Sequence, residues 1–148
     1  VLLLGLFALA LPLDIRTGMA AADESALRIA VDAKGKVELA EIPEGITLPE
    51  GADPEKIFGG THYPMSVRVV IDGETVFEDV FKPTGVSGNG RIAALEFVEV
   101  DSGTRLVEVF IKDDSDEYRL AFSGEVNFEK GQVSILAYDE KTDMFVLR

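Results

Sequence analysis

From residue 27 onward, apolar and polar side chains alternate with a period of two, which is typical of β-strands with one buried face. Leu27, Ile29 and Val31 begin the alternation, which resumes at residues 37–39 after a polar turn at residues 33–36. This pattern predicts a β-hairpin. The strands predicted after it occupy residues 65–71, 76–81, 92–100, 106–111, 118–128, 133–138 and 144–147.

Several of these strands carry more specific signals. Asp72 and Gly73 separate two alternating runs, and this dipeptide favours a type I′ hairpin turn. In residues 92–100 the apolar phase shifts, because Leu95 and Phe97 have the opposite parity to Val98, which predicts a bulge or burial on both faces. The nearly continuous apolar run at residues 106–111 is typical of a central strand, and apolar residues between 118 and 128 share one parity.

The order of these elements predicts the fold class. About nine strands follow one another with no amphipathic helix between them, which excludes a parallel βαβ architecture. We expect an antiparallel, all-β immunoglobulin-like β-sandwich of about 7–9 strands at residues 26–148, with a closed barrel as the alternative. Because the sequence has no cysteine and no tryptophan, its likeness to immunoglobulin domains is one of strand pattern alone.

An unbroken apolar run, VLLLGLFALALPL, occupies residues 1–13. As a helix it would cover roughly 20 Å, short of the roughly 30 Å hydrocarbon core of a bilayer. One interpretation is a signal peptide cleaved near residues 19–22, but Asp14 and Arg16 would then lie between the apolar run and the cleavage site. We therefore expect residues 1–25 to be an N-terminal transmembrane helix with its connector, and its first turns to lie upstream of Val1.

Charge and composition narrow the classes of partner. The formal net charge is −13, so nucleic acid and anionic lipid headgroups are repelled, whereas basic protein surfaces and cations are not. The absence of cysteine excludes disulfides, thiolate metal sites, thiol nucleophiles and a lipidated cysteine. Asn89 and Asn127 do not begin glycosylation motifs. An exported bacterial domain fits these features.

A long segment rich in proline and glycine, residues 42–64, interrupts the strands. It predicts a loop with one short turn at residues 54–58, and loops of this length in compact domains are often functional. We expect it to lie near the membrane-proximal strands and to contact a partner. The predicted partner-binding residues, in this loop and in the apolar run, are Ile57, Phe58, His62, Tyr63, Leu3, Leu4, Phe7 and Leu11.

His62, the only histidine, stands close in sequence to Met65, and this pair suggests a copper or haem ligand set. Such sites need further ligands, and a Met65 side chain in the core would point away from His62. With one histidine in a proline-flanked loop, no nucleophile and base pair stands out either. We expect a packing role for His62.

Two other clusters have simple structural interpretations. Acidic residues at 113–117 suggest a calcium loop, but an EF-hand starting at Asp114 would place Arg119 where glycine is required. A solvated turn is the preferred interpretation. Glycines at 85, 88 and 90 lack the spacing and the GK[ST] signature of a phosphate loop. We therefore expect no metal, no cofactor and no catalytic residue.

Together these features predict a non-catalytic, single-pass accessory subunit of the bacterial inner membrane. Its sandwich would lie in the periplasm and dock on a larger integral membrane protein complex, and the N-terminal helix would contact the lipid bilayer. Small subunits of respiratory and photosynthetic assemblies are the analogy. The alternative is a secreted periplasmic binding module, released by signal-peptide cleavage, that recognises a ligand through residues 42–64 and 83–90. A carboxylate-based enzyme is a third class, with no substrate indicated.

Overall fold

The computed structural model describes residues 24–85, 88–114 and 116–148. This part of the chain contains ten strands and one short helix. They are β1 (Ser25–Ala33), β2 (Val37–Leu39), α1 (Pro54–Phe58), β3 (Gly60–His62), β4 (Met65–Ile71), β5 (Glu74–Phe81), β6 (Ile92–Val100), β7 (Gly103–Lys112), β8 (Arg119–Phe128), β9 (Val133–Asp139) and β10 (Met144–Leu147).

Two four-stranded sheets make up most of the fold, with strand orders β10-β9-β1-β6 and β5-β4-β7-β8. Strands β2 and β3 form a separate two-stranded sheet. Neighbouring strands are antiparallel except for β1 and β9, which run parallel. Parallel neighbours need a long connection, and residues 34–132 supply it. The prediction of an all-β fold with antiparallel sheets is confirmed.

The two large sheets share one apolar core. Inward-facing side chains of both sheets join it, and its largest buried members include Phe128, Leu27, Ile29, Met65 and Leu136. Strand β5 contacts β6, and β10 contacts β8, so the sheets meet along both sides and the arrangement resembles a sandwich. The strict alternation of β1 explains why Leu27 and Ile29 are fully buried.

The predicted hairpin between residues 27–31 and 37–39 is wrong. β1 is a central strand whose two edges are occupied by β6 and β9. No backbone edge is left for β2, which instead pairs with β3, with Val37 opposite His62. The hairpin between β4 and β5 is confirmed, because Asp72 and Gly73 both have the positive φ, 50° and 82°, that the predicted turn requires.

Neither predicted explanation of the phase shift in β6 is correct. Its register with β1 is continuous, and Leu95 and Phe97 are 49% and 40% exposed on the outward side. The bulges lie elsewhere, between β4 and β5 and between β7 and β8. The second bulge shifts the parity of β8, so that Ala121 is buried and Leu120 is exposed, and the single parity predicted for residues 118–128 is wrong. The central position of β7 is confirmed.

The sandwich has two distinct ends. The proximal end is where Glu24 leads into β1, next to the turns at residues 72–73, 101–102 and 129–132. The distal end carries, among the described residues, 34–64, 82–85, 88–91, 113–114, 116–118 and 140–143. The nine residues of β1 separate the two ends by about 27 Å.

The predicted membrane helix at residues 1–25 lies almost wholly outside the described residues. Within the described ranges, no helix has the length and apolar character needed to cross a membrane.

Candidate functional site

The distal arm, residues 34–64, is the main elaboration of the sandwich and contains β2, α1 and β3. Asp53 caps α1 by accepting a hydrogen bond from the Glu55 backbone nitrogen at 3.0 Å, Pro54 occupies its first turn, and Gly59, with φ of 85°, ends it. The turn predicted at residues 54–58 is thus confirmed as a short helix. Strand β3 was not predicted, because three residues including a glycine give no alternation signal.

Asp143 joins the distal arm to the sandwich. Its carboxylate accepts hydrogen bonds from Lys36 Nζ at 2.9 Å and from the Tyr138 hydroxyl at 2.8 Å, while its backbone carbonyl accepts one from Arg119 at 2.6 Å. The bonds from Lys36 and Tyr138 hold the pKa of Asp143 below its usual value, and the same contact raises the pKa of Lys36. Burial, followed by the bond to Asp143, raises the pKa of the Tyr138 hydroxyl.

Polar contacts also organise the arm internally. His62 Nε2 lies 2.6 Å from a carboxylate oxygen of Glu55, and this contact places the C-terminal end of β3 against α1. Tyr63 donates a hydrogen bond to Glu38, and this bond raises the pKa of the Tyr63 hydroxyl. Met65, by contrast, is buried in the core of the sandwich. His62 therefore contacts α1 of the arm, whereas Met65 belongs to the core of the sandwich.

The outward surface of the arm is apolar and acidic at once. Between residues 37 and 57 the sequence has six carboxylates and one lysine. The large aliphatic side chains exposed among them are Leu39, Ile42, Ile46 and Ile57, with exposed fractions between 40% and 54%. The arm therefore presents apolar side chains within a negative field.

The predicted partner-binding residues differ in how exposed they are and in what they contact. Ile57 is exposed on α1 and Phe58 is half-buried, while His62 and Tyr63 are engaged with Glu55 and Glu38. The predictions on residues 3, 4, 7 and 11 lie outside the described residues. Sequence reasoning missed Leu39, Ile42 and Ile46, although large aliphatic residues in a segment rich in proline and carboxylates are themselves a signal.

This loop was expected near the membrane-proximal strands, and the segment that would define the membrane side, residues 1–23, lies outside the described residues. Within the described residues, the loop follows the distal end of β1 and precedes the distal end of β4. Since Glu24 lies at the opposite end, the length of β1 separates the arm from the point where the N-terminal segment enters.

The acidic run near β8 is partly used in the fold. Asp113 is buried, and its carboxylate lies 3.4 Å from the Arg119 guanidinium. An open hollow beside it is lined by residues that include Tyr63, Lys112 and Asp116. Across residues 24–85, 88–114 and 116–148, no group of three or more histidine or acidic side chains is placed to hold a metal ion.

The fold and the arm together define a class, an all-β sandwich-like domain with an acidic appendage at one end. Comparisons with protein-family models, curated proteins and solved structures find no match to this chain. The functional conclusion therefore depends on the physical character of the surfaces.

Proposed function

We propose that the protein is a non-catalytic accessory subunit whose sandwich docks on a larger protein complex through the distal arm. The observation that carries this proposal is the set of four exposed aliphatic side chains on an acidic arm that is held to the sandwich through Asp143. Four large aliphatic side chains exposed on one short arm support an interaction surface there.

The energetics of the arm suit a specific contact. Full burial of an exposed Leu or Ile contributes about 1.5–3 kcal/mol, and these side chains are about half exposed, so each offers roughly half of that. The surrounding carboxylates favour a partner with basic residues around an apolar depression and increase the rate of encounter with it. Because Asp143 and the contact between His62 and Glu55 already hold the arm in place, less entropy is lost on binding.

The membrane anchor belongs to the same proposal. The apolar run at residues 1–13, and an acidic domain that anionic lipid headgroups repel, support a single-pass subunit of the bacterial inner membrane with residues 26–148 in the periplasm. An anchor that enters at the proximal end would hold the arm roughly 30 Å from the membrane surface. The proposed partner is therefore an integral membrane complex with an extramembrane part of at least that height, as in respiratory or photosynthetic assemblies.

The immunoglobulin-like connectivity stays a prediction within this proposal. The two sheets of four strands and the shared core support it. An experimental structure would test this connectivity, and a different order of strands in either sheet would refute it.

The docking proposal is tested by solubilising native membranes in mild detergent and identifying, by native gel and mass spectrometry, what migrates with the chain. We expect a larger complex that is lost in the double variant Ile46→Ser/Ile57→Ser. The matched control is Val76→Ser/Leu106→Ser, two exposed side chains of the second sheet. Migration of the wild type as a lone 16 kDa species would refute docking. A mature N-terminus near residue 21 would refute the anchor and favour the secreted alternative.

A further inference from the structure

The connection between β5 and β6 contains Asn89 followed by Gly90, and the full sequence has no other Asn-Gly pair. The other asparagine of the chain, Asn127, precedes Phe128. The backbone nitrogen that follows an asparagine can attack its side chain and close a five-membered succinimide ring. Glycine hinders this ring closure least, because it has no Cβ. Asn89 is therefore the position of this chain at which the reaction is chemically easiest.

Three glycines surround the Asn89 side chain, which is exposed to solvent. Gly88, with φ of 67°, and Gly90 flank it in sequence, and Gly85 lies opposite. A Cβ on Gly85 would lie 3.9 Å from the Asn89 side-chain oxygen and 3.8 Å from the Gly90 nitrogen. The two groups that would react thus border the same space, and residue 85 has no side chain to fill it.

The packing of the loop requires a glycine at position 90. A Cβ on Gly90 would lie 2.6 Å from both the carbonyl oxygen and the hydroxyl oxygen of Thr84. This close approach arises because the Thr84 nitrogen and hydroxyl both donate to the Arg91 carbonyl oxygen, at 3.0 and 2.8 Å. Arg91 is itself fixed to Asp32 and Glu140, each at 2.8 Å. Loop closure therefore imposes the residue that makes the preceding asparagine reactive.

The same loop closure also restrains the reaction. The Gly90 N–H donates a hydrogen bond to the Thr84 carbonyl oxygen at 2.8 Å. To attack Asn89, this nitrogen must lose its proton and turn towards the side-chain carbonyl carbon, and the hydrogen bond opposes both changes. The reaction therefore needs a local opening of the loop, and its rate depends on how often the loop opens.

The Asp72-Gly73 turn provides an internal comparison, because an aspartate before glycine can close the same ring. The Asp72 carboxylate accepts a hydrogen bond from the Leu106 nitrogen at 2.9 Å and pairs with Arg105 at 3.1 Å. These contacts hold the pKa of Asp72 below its usual value. An ionised carboxylate is a poor electrophile, so this turn is much less reactive than the amide of Asn89.

We propose that Asn89 is a spontaneous modification site, which the folded protein converts slowly to aspartate and isoaspartate at a rate controlled by the hydrogen bond between Gly90 and Thr84. The deprotonated Gly90 nitrogen forms a bond to Cγ of Asn89. The bond between Cγ and Nδ2 then breaks, and the side-chain nitrogen leaves as ammonia, taking up from solvent the equivalent of the proton that the backbone nitrogen lost.

Solvent water opens the succinimide in one of two ways. Addition at Cγ breaks the new bond and gives aspartate, whereas addition at the backbone carbonyl carbon breaks the original peptide bond and gives isoaspartate. Either product adds one negative charge, and isoaspartate lengthens the main chain by one atom. This proposal does not depend on docking through the distal arm.

The test incubates the purified protein at mildly alkaline pH, either folded in buffer or unfolded in guanidinium chloride, and follows it by trypsin digestion and mass spectrometry. We expect the peptide of residues 69–91 to gain one mass unit and to separate into aspartyl and isoaspartyl forms. Conversion should be roughly tenfold slower in the folded protein, because opening the loop breaks one or two hydrogen bonds. Asn127 is the internal control, since it lies in β8 before the buried Phe128 and should not change over the same period.

The variants Thr84→Val and Thr84→Ser test the control by loop closure. Valine keeps the shape of threonine but cannot donate to the Arg91 carbonyl oxygen, so conversion of Asn89 in the folded protein should become about fivefold faster. Serine keeps the hydroxyl and should convert at close to the wild-type rate. Circular dichroism checks that both variants are folded.

Two sets of results would overturn the proposal. The modification site is refuted if folded protein shows no gain at Asn89, an equal gain at Asn127, or aspartate without isoaspartate. Control by the loop is refuted by equal rates in folded and unfolded protein, or by an unchanged rate in folded Thr84→Val.

Discussion

Replacement of Asp143 by asparagine measures how much the negative charge of Asp143 contributes to holding the distal arm on the sandwich. Asp143 has φ of 54°, a left-handed conformation that asparagine also tolerates, so the backbone of the turn is retained. The amide oxygen can still accept the hydrogen bond from the Tyr138 hydroxyl. What is lost is the negative charge opposite Lys36.

The expected cost follows from exposure. The side chains of Lys36 and Asp143 are 37% and 41% exposed, so their ion pair contributes only about 0.5–1 kcal/mol after solvent screening. Changing the acceptor of Tyr138 from charged to neutral costs about another 0.5–1 kcal/mol. We expect Asp143→Asn to lower the free energy of unfolding by about 1–2 kcal/mol at pH 7, and the melting temperature by about 3–8 °C.

The dependence of stability on pH shows whether Asp143 acts through its negative charge. Lys36 and Tyr138 lower the pKa of Asp143 below 3.8, so the contribution of the carboxylate is present above about pH 3.8 and is lost as the pH falls through the folded-state pKa. Asp143 raises the pKa of Lys36 above 10.5, so the ammonium contribution persists up to that pH and is lost beyond it. The difference between wild type and variant should be constant between about pH 5 and 9 and shrink towards zero in stronger acid.

Urea unfolding followed by circular dichroism across this range measures that difference. The control is Asp101→Asn, an exposed aspartate in the turn at the proximal end. A double-mutant cycle with Lys36→Met should give a coupling of about 0.5–1 kcal/mol at pH 7. A loss that is equal at pH 3 and pH 7, or an absence of coupling, would show that Asp143 does not act through its charge.

Three further predictions concern the sandwich. Leu136→Ala should cost about 2–5 kcal/mol in urea unfolding because Leu136 is fully buried, whereas Leu95→Ala, on the exposed side of β6, should change stability by less than about 0.5 kcal/mol. Equal costs would contradict the assignment of the two faces. Gly73→Val should destabilise by about 1–2 kcal/mol, because valine is strained at φ of 82°, and Gly73→Asn by less. Gly90→Ala would place Cβ 2.6 Å from the Thr84 carbonyl oxygen, so its melting temperature should fall, and an unchanged value would refute that packing.

Much of the fold could be predicted because side-chain alternation, turn preferences and helix signals depend only on residues close together in the chain. The period of two identified most strands, and the Asp72-Gly73 turn followed from the φ requirement of its two residues. The prediction of a short element at residues 54–58 also held, since Asp53, Pro54 and Gly59 are local helix signals.

The largest error arose where a strand's partners are distant in sequence. Residues 27–39 were predicted to form a hairpin because strands close in sequence often pair, but both edges of β1 are occupied by β6 and β9. The single parity predicted for residues 118–128 is wrong for another reason, because the bulge at Ala121 depends on the register with the neighbouring strand β7, which alternation does not encode. The exposure of Leu95 and Phe97 was not predicted, because both look like core residues until the pairing of β6 with the distant strand β1 shows which way they face.

Composition and side-chain alternation depend on neighbouring residues, so the all-β character, the positions of most strands, the acidic charge and the apolar run at residues 1–13 could be read from the sequence. The order of strands in each sheet could not. The placement of the arm opposite Glu24 and the exposure of Leu95 and Phe97 also became visible only in the folded chain. Those features follow from backbone pairing and side-chain packing between residues far apart in the chain, such as Ser25 with Val100 and Lys36 with Asp143, which no local pattern encodes.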